Sequence, residues 1–368
     1  PTVELGSAVT RSRSSQLNGQ QVPVPEATTH RAALATSFEI DLWGKLRDAT
    51  QAAREQLLAA QHARDTVRLA LVGTLAQAWL GVRSLDSQRA ILDAQWLTRR
   101  DALALVQRRV QAGVASGLDQ AQAEAALAAL AAQQVELTRQ REQLVHVIAE
   151  LAGQPGLQVA VNARPLAAPA AVPAGLPSEL LQRRPDLQQA EAAMRAAFAA
   201  FDVTRKSAWP TLALTGSFGV QSADLADLLR SGARIWSIGP SLLVSLFDAG
   251  RNEARTGQAR TVAEQAAVGW QRATQAAFRE VADALVAAEQ LALQEAEVER
   301  QQRAAQEALR LATRRYEAGY SAYLEVLDAQ RGTQEAELGL LRLRQARLDA
   351  SVALMKALGG GWTAPARQ

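Results

Sequence analysis

Apolar residues follow two different periods along this chain. No proline occurs between Pro25 and Pro155, nor between Pro240 and Pro365, and Ala, Leu, Gln, Glu and Arg dominate both tracts. Those residues are the strongest helix formers, and proline is incompatible with a helix interior. One glycine-containing break interrupts each tract, within Arg108–Gly117 and within Arg314–Ser321. Each tract therefore reads as a long helix, a break and a shorter return helix. The first long helix is predicted from Gly44 to Val110, 67 residues or ~100 Å, and its return from Asp119 to Leu151. A further helix is predicted from Pro185 to about Lys206, with Pro185 at its first position and Asp186 at the positive end of its dipole. It has the length to stack end to end with a return helix.

Elsewhere the period is two. From Thr211 to Val220, Leu212, Leu214, Phe218 and Val220 share one face, while Thr211, Ala213, Thr215 and Ser217 share the other. From Ile235 to Phe247, Trp236, Ile238, Leu242, Val244 and Leu246 alternate with Ser237, Ser241 and Ser245. Val3, Leu5 and Val9 form a similar set, as do Phe38, Ile40 and Leu42 against Ser37, Glu39 and Asp41. This is strand alternation, in segments of about 10 residues, the length that crosses a bilayer when tilted.

The two halves match at a fixed offset. Gly44 and Gly250, Arg54 and Arg260, Leu103 and Leu309, Gly113 and Gly319, Arg141 and Arg347, and Gly153 and Gly359 are each 206 positions apart. A constant offset over such a span predicts an internal duplication. The first repeat is expected over 1–153: two strands, long helix, tip turn and return helix, with its N-terminal part missing. A proline-rich linker covers 154–177, and the second repeat covers 178–368, with a helix before its strands and a short tail. Four strands cannot close a barrel alone, whereas three copies supply twelve. The expected fold is thus a mixed α and β membrane protein, a homotrimeric twelve-stranded β-barrel continued by a long α-helical coiled-coil barrel.

Composition adds exclusions. Hydrophobic residues are 48% and aromatic residues 4% of 368, so alanine carries most of the apolar content, as suits closely packed long helices. Forty basic against 37 acidic residues give a net charge of +3, interleaved along the chain, and no nucleic-acid partner is expected. Absence of cysteine excludes disulfides, thiolate metal sites and cysteine nucleophiles. The first residue is Pro1, so a leading segment, including any signal peptide or lipid-bearing cysteine, is expected to have been removed. No run approaches ~20 apolar residues, which excludes a transmembrane helix but not a barrel.

Catalytic constellations are lacking. His30, His62 and His146 are far apart, and no Walker loop, GxSxG elbow, HExxH or dinucleotide fingerprint occurs; no enzyme activity, cofactor or metal is expected. The informative residues cluster at the helix breaks. All three tyrosines, Tyr316, Tyr320 and Tyr323, fall at the second break, and Glu325 and Asp328 follow on one face of the return helix. Acids at a helix N-terminus are favourable dipole partners, which alone accounts for Asp119 behind Ser116. In a threefold oligomer, however, Glu325 and Asp328 would form carboxylate rings that select cations. The breaks at Ala112, Gly113, Val114 and Ala115 and at Ala318, Gly319, Tyr320 and Ser321 let another helix approach closely and are expected to dock a partner. Trp43, Trp209, Trp236 and Phe247 lie at strand ends, where a membrane-interface belt is expected. A scaffolding coiled coil competes for the helical composition but leaves the strands and the duplication unexplained.

These features resemble the outer-membrane efflux channel family of TolC and OprM type. Arg183-Arg184-Pro185-Asp186-Leu187, Trp209-Pro210-Thr211-Leu212, Leu246-Phe247-Asp248-Ala249-Gly250-Arg251, Arg315-Tyr316-Glu317-Ala318-Gly319 and Leu324-Glu325-Val326-Leu327-Asp328-Ala329-Gln330 carry the resemblance. It implies a trimer in the outer membrane of a Gram-negative bacterium, with a tunnel crossing the periplasm and a lipid anchor on the missing N-terminus. It also implies a periplasmic adaptor (membrane fusion protein), an inner-membrane pump of the RND type, outer-membrane lipid contact and passive exit of drugs or other small molecules. A type I protein-secretion or metal-efflux channel is the alternative. By position, Tyr316 and Asp119 match a gate link, and Glu325 and Asp328 the acidic constriction. A second link that some members build with arginine has Ser321 in its place, with Leu118 opposite.

Overall fold

The computed structural model describes residues 2–13, 26–164, 166–167, 169 and 183–360. Among the described residues are four strands, β1 (Thr2–Ser12), β2 (Ala27–Ile40), β3 (Thr211–Ser222) and β4 (Arg234–Leu243), and five long helices. The helices are α1 (Lys45–Gln111), α2 (Gly117–Ala152), α3 (Pro185–Lys206), α4 (Arg251–Glu317) and α5 (Tyr323–Ala357). Both ends of α1 reappear 206 positions later as the ends of α4, and the start of α2 reappears as the start of α5. No helix among the described residues is long and apolar enough to cross a membrane. Part of the predicted linker (165, 168 and 170–177), the start of the predicted second repeat (178–182) and its tail (361–368) lie outside the described residues.

The chain divides into two compact units, Pro1–Ala59 with Ala190–Trp270, and Ala60–Gln189 with Gln271–Gln368. The first unit holds a four-stranded sheet in the order β1-β2-β3-β4, antiparallel throughout. Register places Leu5, Leu34, Phe218 and Trp236 in one cross-strand row, and Phe38 beside Leu214 in another. One sheet face is therefore apolar across all four strands, while the other carries Glu4, Ser37, Thr215, Ser217 and Ser237. Ser217 and Ser237 hydroxyls hydrogen-bond across strands on that polar face, 2.8 Å apart. Gly219 opposes Ala33 so closely that a Cβ would come within 2.3 Å of the Ala32 carbonyl oxygen, so glycine is required there.

Two strand ends differ from the alternation. Apolar-polar alternation continues to Phe247, but β4 stops at Leu243, because its partner β3 begins at Thr211, opposite Leu243. Among the described residues, 244–247 have no strand to pair with. Likewise β2 ends at Ile40, before Leu42, where Asp41 turns from strand alternation to helix capping. Its carboxylate accepts from the Leu46 and Arg47 amides at 3.1 and 3.0 Å, satisfying donors that α1 leaves unpaired.

In the second unit the helices pack through leucine and alanine layers. Leu85, Leu92, Leu130, Leu137 and Leu338 form one layer, and Ala78, Val82, Val145 and Ile148 another. Buried charge supplements these apolar layers. Arg141 donates to Asp86 Oδ1 at 2.7 Å, and the Asp86 side chain is fully buried. Asp86 Oδ2 accepts from the Asn162 amide at 2.8 Å, and Arg141 also donates to the Val159 carbonyl at 2.7 Å, so the segment after α2 is strapped across α1 and α2. Arg184, just before α3, donates to Asp186, to Glu280 at 2.7 Å and to the Ala357 carbonyl at 3.0 Å. That last bond ties the C-terminal end of α5 to the residue just before α3.

Candidate functional site

Both helix breaks are built by the same backbone device. Gly113 and Gly319 take φ of 76° and 80°, the left-handed region that L side chains avoid. Val114 N–H then reaches back to the Arg109 carbonyl at 2.9 Å, and Tyr320 N–H to the Arg315 carbonyl at 2.9 Å. Each long helix thus ends in a Schellman turn that satisfies its last carbonyls. A Cβ added at either glycine meets nothing within 4 Å, Val114 is 72% exposed and Tyr320 81%, so both turns present open surface. Ala112 and Ala318 are exposed beside them, and Ala115 and Ser321 are half-buried.

The restarts after the turns differ. Ser116 caps α2 in a reciprocal box: its hydroxyl accepts from the Asp119 amide at 3.2 Å, and Asp119 Oδ2 accepts from the Ser116 amide at 3.1 Å. The positions 206 residues on are Ala322 and Glu325, and Ala322 has no side chain to cap α5. Glu325, the counterpart of Asp119, is released from capping and faces Arg315 at 3.6 Å. Asp328 faces Arg331 at 3.7 Å, and both acids are more than half exposed. Ser321 Oγ is buried without a hydrogen-bond partner.

Beneath the turns, all four helices meet in one core. Val106, Ala123, Ala126, Tyr323, Val326 and Leu327 are buried, with Leu309, Ala312 and Tyr316 packed against them. The Tyr316 ring lies 5.3 Å from that of Tyr323, and the Arg109 guanidinium sits 5.0 Å over Tyr316. Burial, then the neighbouring Tyr316, pushes the Tyr323 hydroxyl above the usual phenol range. No hydrogen bond joins Tyr316 to Asp119 among the described residues; within one chain Asp119 is occupied by Ser116.

At the sheet, the aromatic residues gather in separate places. Trp43 and Trp209 meet edge to face at 5.2 Å, and Trp43 Nε1 donates to the Pro210 carbonyl at 2.7 Å. Trp236 lies across from Phe218, near the opposite end of the strands, and Phe247 is exposed beyond the end of β4. Sequence reasoning missed the buried arginines. Arg99, Arg141 and Arg184 have little local signature, since most of their partners lie 18 to 235 positions away, apart from Glu142 beside Arg141 and Asp186 two positions from Arg184. The 206-residue offset singles out Arg141 with Arg347, and Arg184 stands within the Arg183–Leu187 motif, but neither signal shows that the side chain is buried.

A four-stranded sheet with one exposed apolar face, joined in sequence to helices too polar to cross a membrane, has the features of an outer-membrane protein. A profile of the outer membrane efflux protein family matches residues 1–154 and 176–360. The chain belongs to this family and is an outer-membrane efflux channel of a Gram-negative bacterium, extending into the periplasm. Over 357 residues it is 34% identical to outer membrane protein OprJ of Pseudomonas aeruginosa, covering 94% of this chain and 74% of OprJ. It is also 34% identical over 340 residues to the solvent efflux pump outer membrane protein SrpC of Pseudomonas putida, covering 91% of this chain and 72% of SrpC. Among solved structures, a membrane protein from Pseudomonas aeruginosa shares 34% identity and superimposes with a TM-score of 0.91, covering 98% of this chain and 82% of the other.

Proposed function

We propose that three copies of this chain close a twelve-stranded barrel and form the passive exit duct of a tripartite efflux pump for small molecules. The observation that carries this reading is the sheet with two free edges. β1 and β4 are its outer strands, and the apolar face is 46% exposed at Leu34 and 77% at Leu5. In lipid, each unpaired backbone group at those edges would cost several kcal/mol. β1 and β4 run antiparallel to one another, so β4 of one copy continues the antiparallel pattern onto β1 of the next. Trp43, Trp209, Trp236 and Phe247 then sit toward the two membrane interfaces.

The duplicated tips supply the coupling. Ala112 to Ala115 and Ala318 to Ser321 give each chain two similar open turns, and a trimer six, for the helical hairpins of a periplasmic adaptor that connects to an RND-type inner-membrane pump. Glu325 and Asp328 line the constriction, where Glu325, released from capping, is held among the described residues only by Arg315 at 3.6 Å; Tyr316 and Asp119 hold the resting tip. Mass measurement of the detergent-extracted protein tests the reading. Three chains per particle are expected, and a monomer stably inserted in membranes overturns it.

A further inference from the structure

The three buried arginines are not equivalent. Arg141 is neutralised by Asp86, and Arg184 by Asp186 and Glu280. Arg99 is equally buried, yet among the described residues no carboxylate lies within ion-pair distance of it. Its guanidinium donates to Gln334 Oε1 at 2.9 Å and weakly to the Ala126 carbonyl at 3.4 Å, both neutral, leaving three of its five N–H donors unengaged. Burial lowers the Arg99 pKa, whereas the hydrogen bonds that Arg184 donates to Asp186 and Glu280 outweigh burial there and raise its pKa.

Arg99 also lines a cavity of about 430 Å³ between α2 and α5. Arg331 and Arg342 line the same cavity, Glu335 is the one carboxylate there, and the alanines of α2 keep it open. Asp328 pairs with Arg331 at 3.7 Å, so three guanidinium groups against Glu335 and Asp328 leave the cavity cationic by one charge, and the counter-ion that Arg99 lacks among the described residues has room to come from outside. We infer that this cavity binds the anionic group of a small molecule, a carboxylate or phosphate, with Arg99, Arg331 and Arg342 as its ligands. The planar fork of a guanidinium matches such groups with two parallel hydrogen bonds, and these strengthen where water is scarce.

Asp328, Glu335 and Arg342 lie seven residues apart, two helical turns, and so share one face of α5. Resting on the proposed channel reading, a solute that has passed the acidic constriction next meets this arginine cluster. The channel then favours molecules carrying both a cationic and an anionic group, each sign served by a separate station.

The test is calorimetric titration of the intact detergent-solubilised protein with citrate and with inorganic phosphate, against chloride at matched ionic strength. Wild-type protein should bind at least one of the two beyond the chloride control, and the comparison tells carboxylate from phosphate preference. Arg99→Gln should weaken binding at least tenfold and Arg342→Gln several-fold, while Arg100→Gln, outside the cavity, should leave it unchanged. Arg342 is exposed, so its substitution keeps the test open should Arg99→Gln fail to fold. No binding beyond chloride, or equal binding by the Arg99 and Arg342 variants, overturns the inference. Chain number and cation selectivity measured on the same preparations keep the two ideas apart: a cation-selective trimer without anion binding refutes only the arginine site.

Discussion

Arg141→Met isolates the contribution of buried charge to the helical unit. The substitution keeps an apolar stem of similar length but strands Asp86, whose side chain is fully buried, with only the Asn162 amide as its remaining partner. Removing one member of a buried ion pair costs about 3–5 kcal/mol, because the other charge stays out of water. The Val159 carbonyl loses its donor as well, so the strap over residues 157–164 should loosen first. Amide hydrogen exchange on the detergent-solubilised protein reads this directly at Asn162. Its protection should fall by roughly 10²- to 10⁴-fold, the equivalent of that free energy at 1.4 kcal/mol per factor of ten. Adding Asp86→Leu should restore much of the lost stability, since apolar replacement of a whole buried pair is often close to neutral. If Arg141→Met leaves Asn162 protected and the double variant is no better than the single, the pair does not hold the strap.

Three further outcomes follow from the geometry. Replacing both Glu325 and Asp328 with Ala should lower cation selectivity and block by multivalent cations in single-channel recordings, since two charges per chain leave a narrow path; unchanged selectivity would reduce the acids to helix-dipole partners. Gly319→Trp should abolish adaptor crosslinking and export while leaving chain association and barrel insertion intact, because the turn is open and requires positive φ. Asp349 is half-buried with Oδ1 unpartnered, and burial raises its pKa despite the hydrogen bond from Gln345. A carboxyl that holds its proton more tightly when folded destabilises the fold as pH rises from its unfolded through its folded pKa. Asp349→Asn should therefore raise the melting temperature at neutral pH and have no effect below about pH 4; an equal shift at both would contradict this.

Much of the architecture is legible because it is local or repeated. Glycine at 113 and 319 marks a backbone conformation that other residues resist, and the long proline-free tracts leave few alternatives to helix. The predicted Gly44–Val110 helix and the observed Lys45–Gln111 differ by one residue at each end. Strand ends were harder, since alternation through Phe247 says nothing about whether a partner strand reaches that far. Likewise, the acids at 119 and 325 occupy matched positions, and only the identity of the capping residue, Ser116 against Ala322, separates a structural carboxylate from one released from capping. The arginine cavity was illegible, because Arg99 meets Gln334 across 235 positions and nothing in either neighbourhood announces it.

The most direct test of the assembled channel uses the absence of cysteine in the chain. Ser237→Cys on β4 can be paired in turn with Cys at Glu4, Gly6, Ala8 or Thr10, the positions of β1 on the same polar face. Oxidation in membranes should yield covalently closed trimers at one register, with dimers as intermediates and nothing larger. Membrane-inserted protein that forms no link between chains at any of the four positions would contradict a barrel shared by three copies.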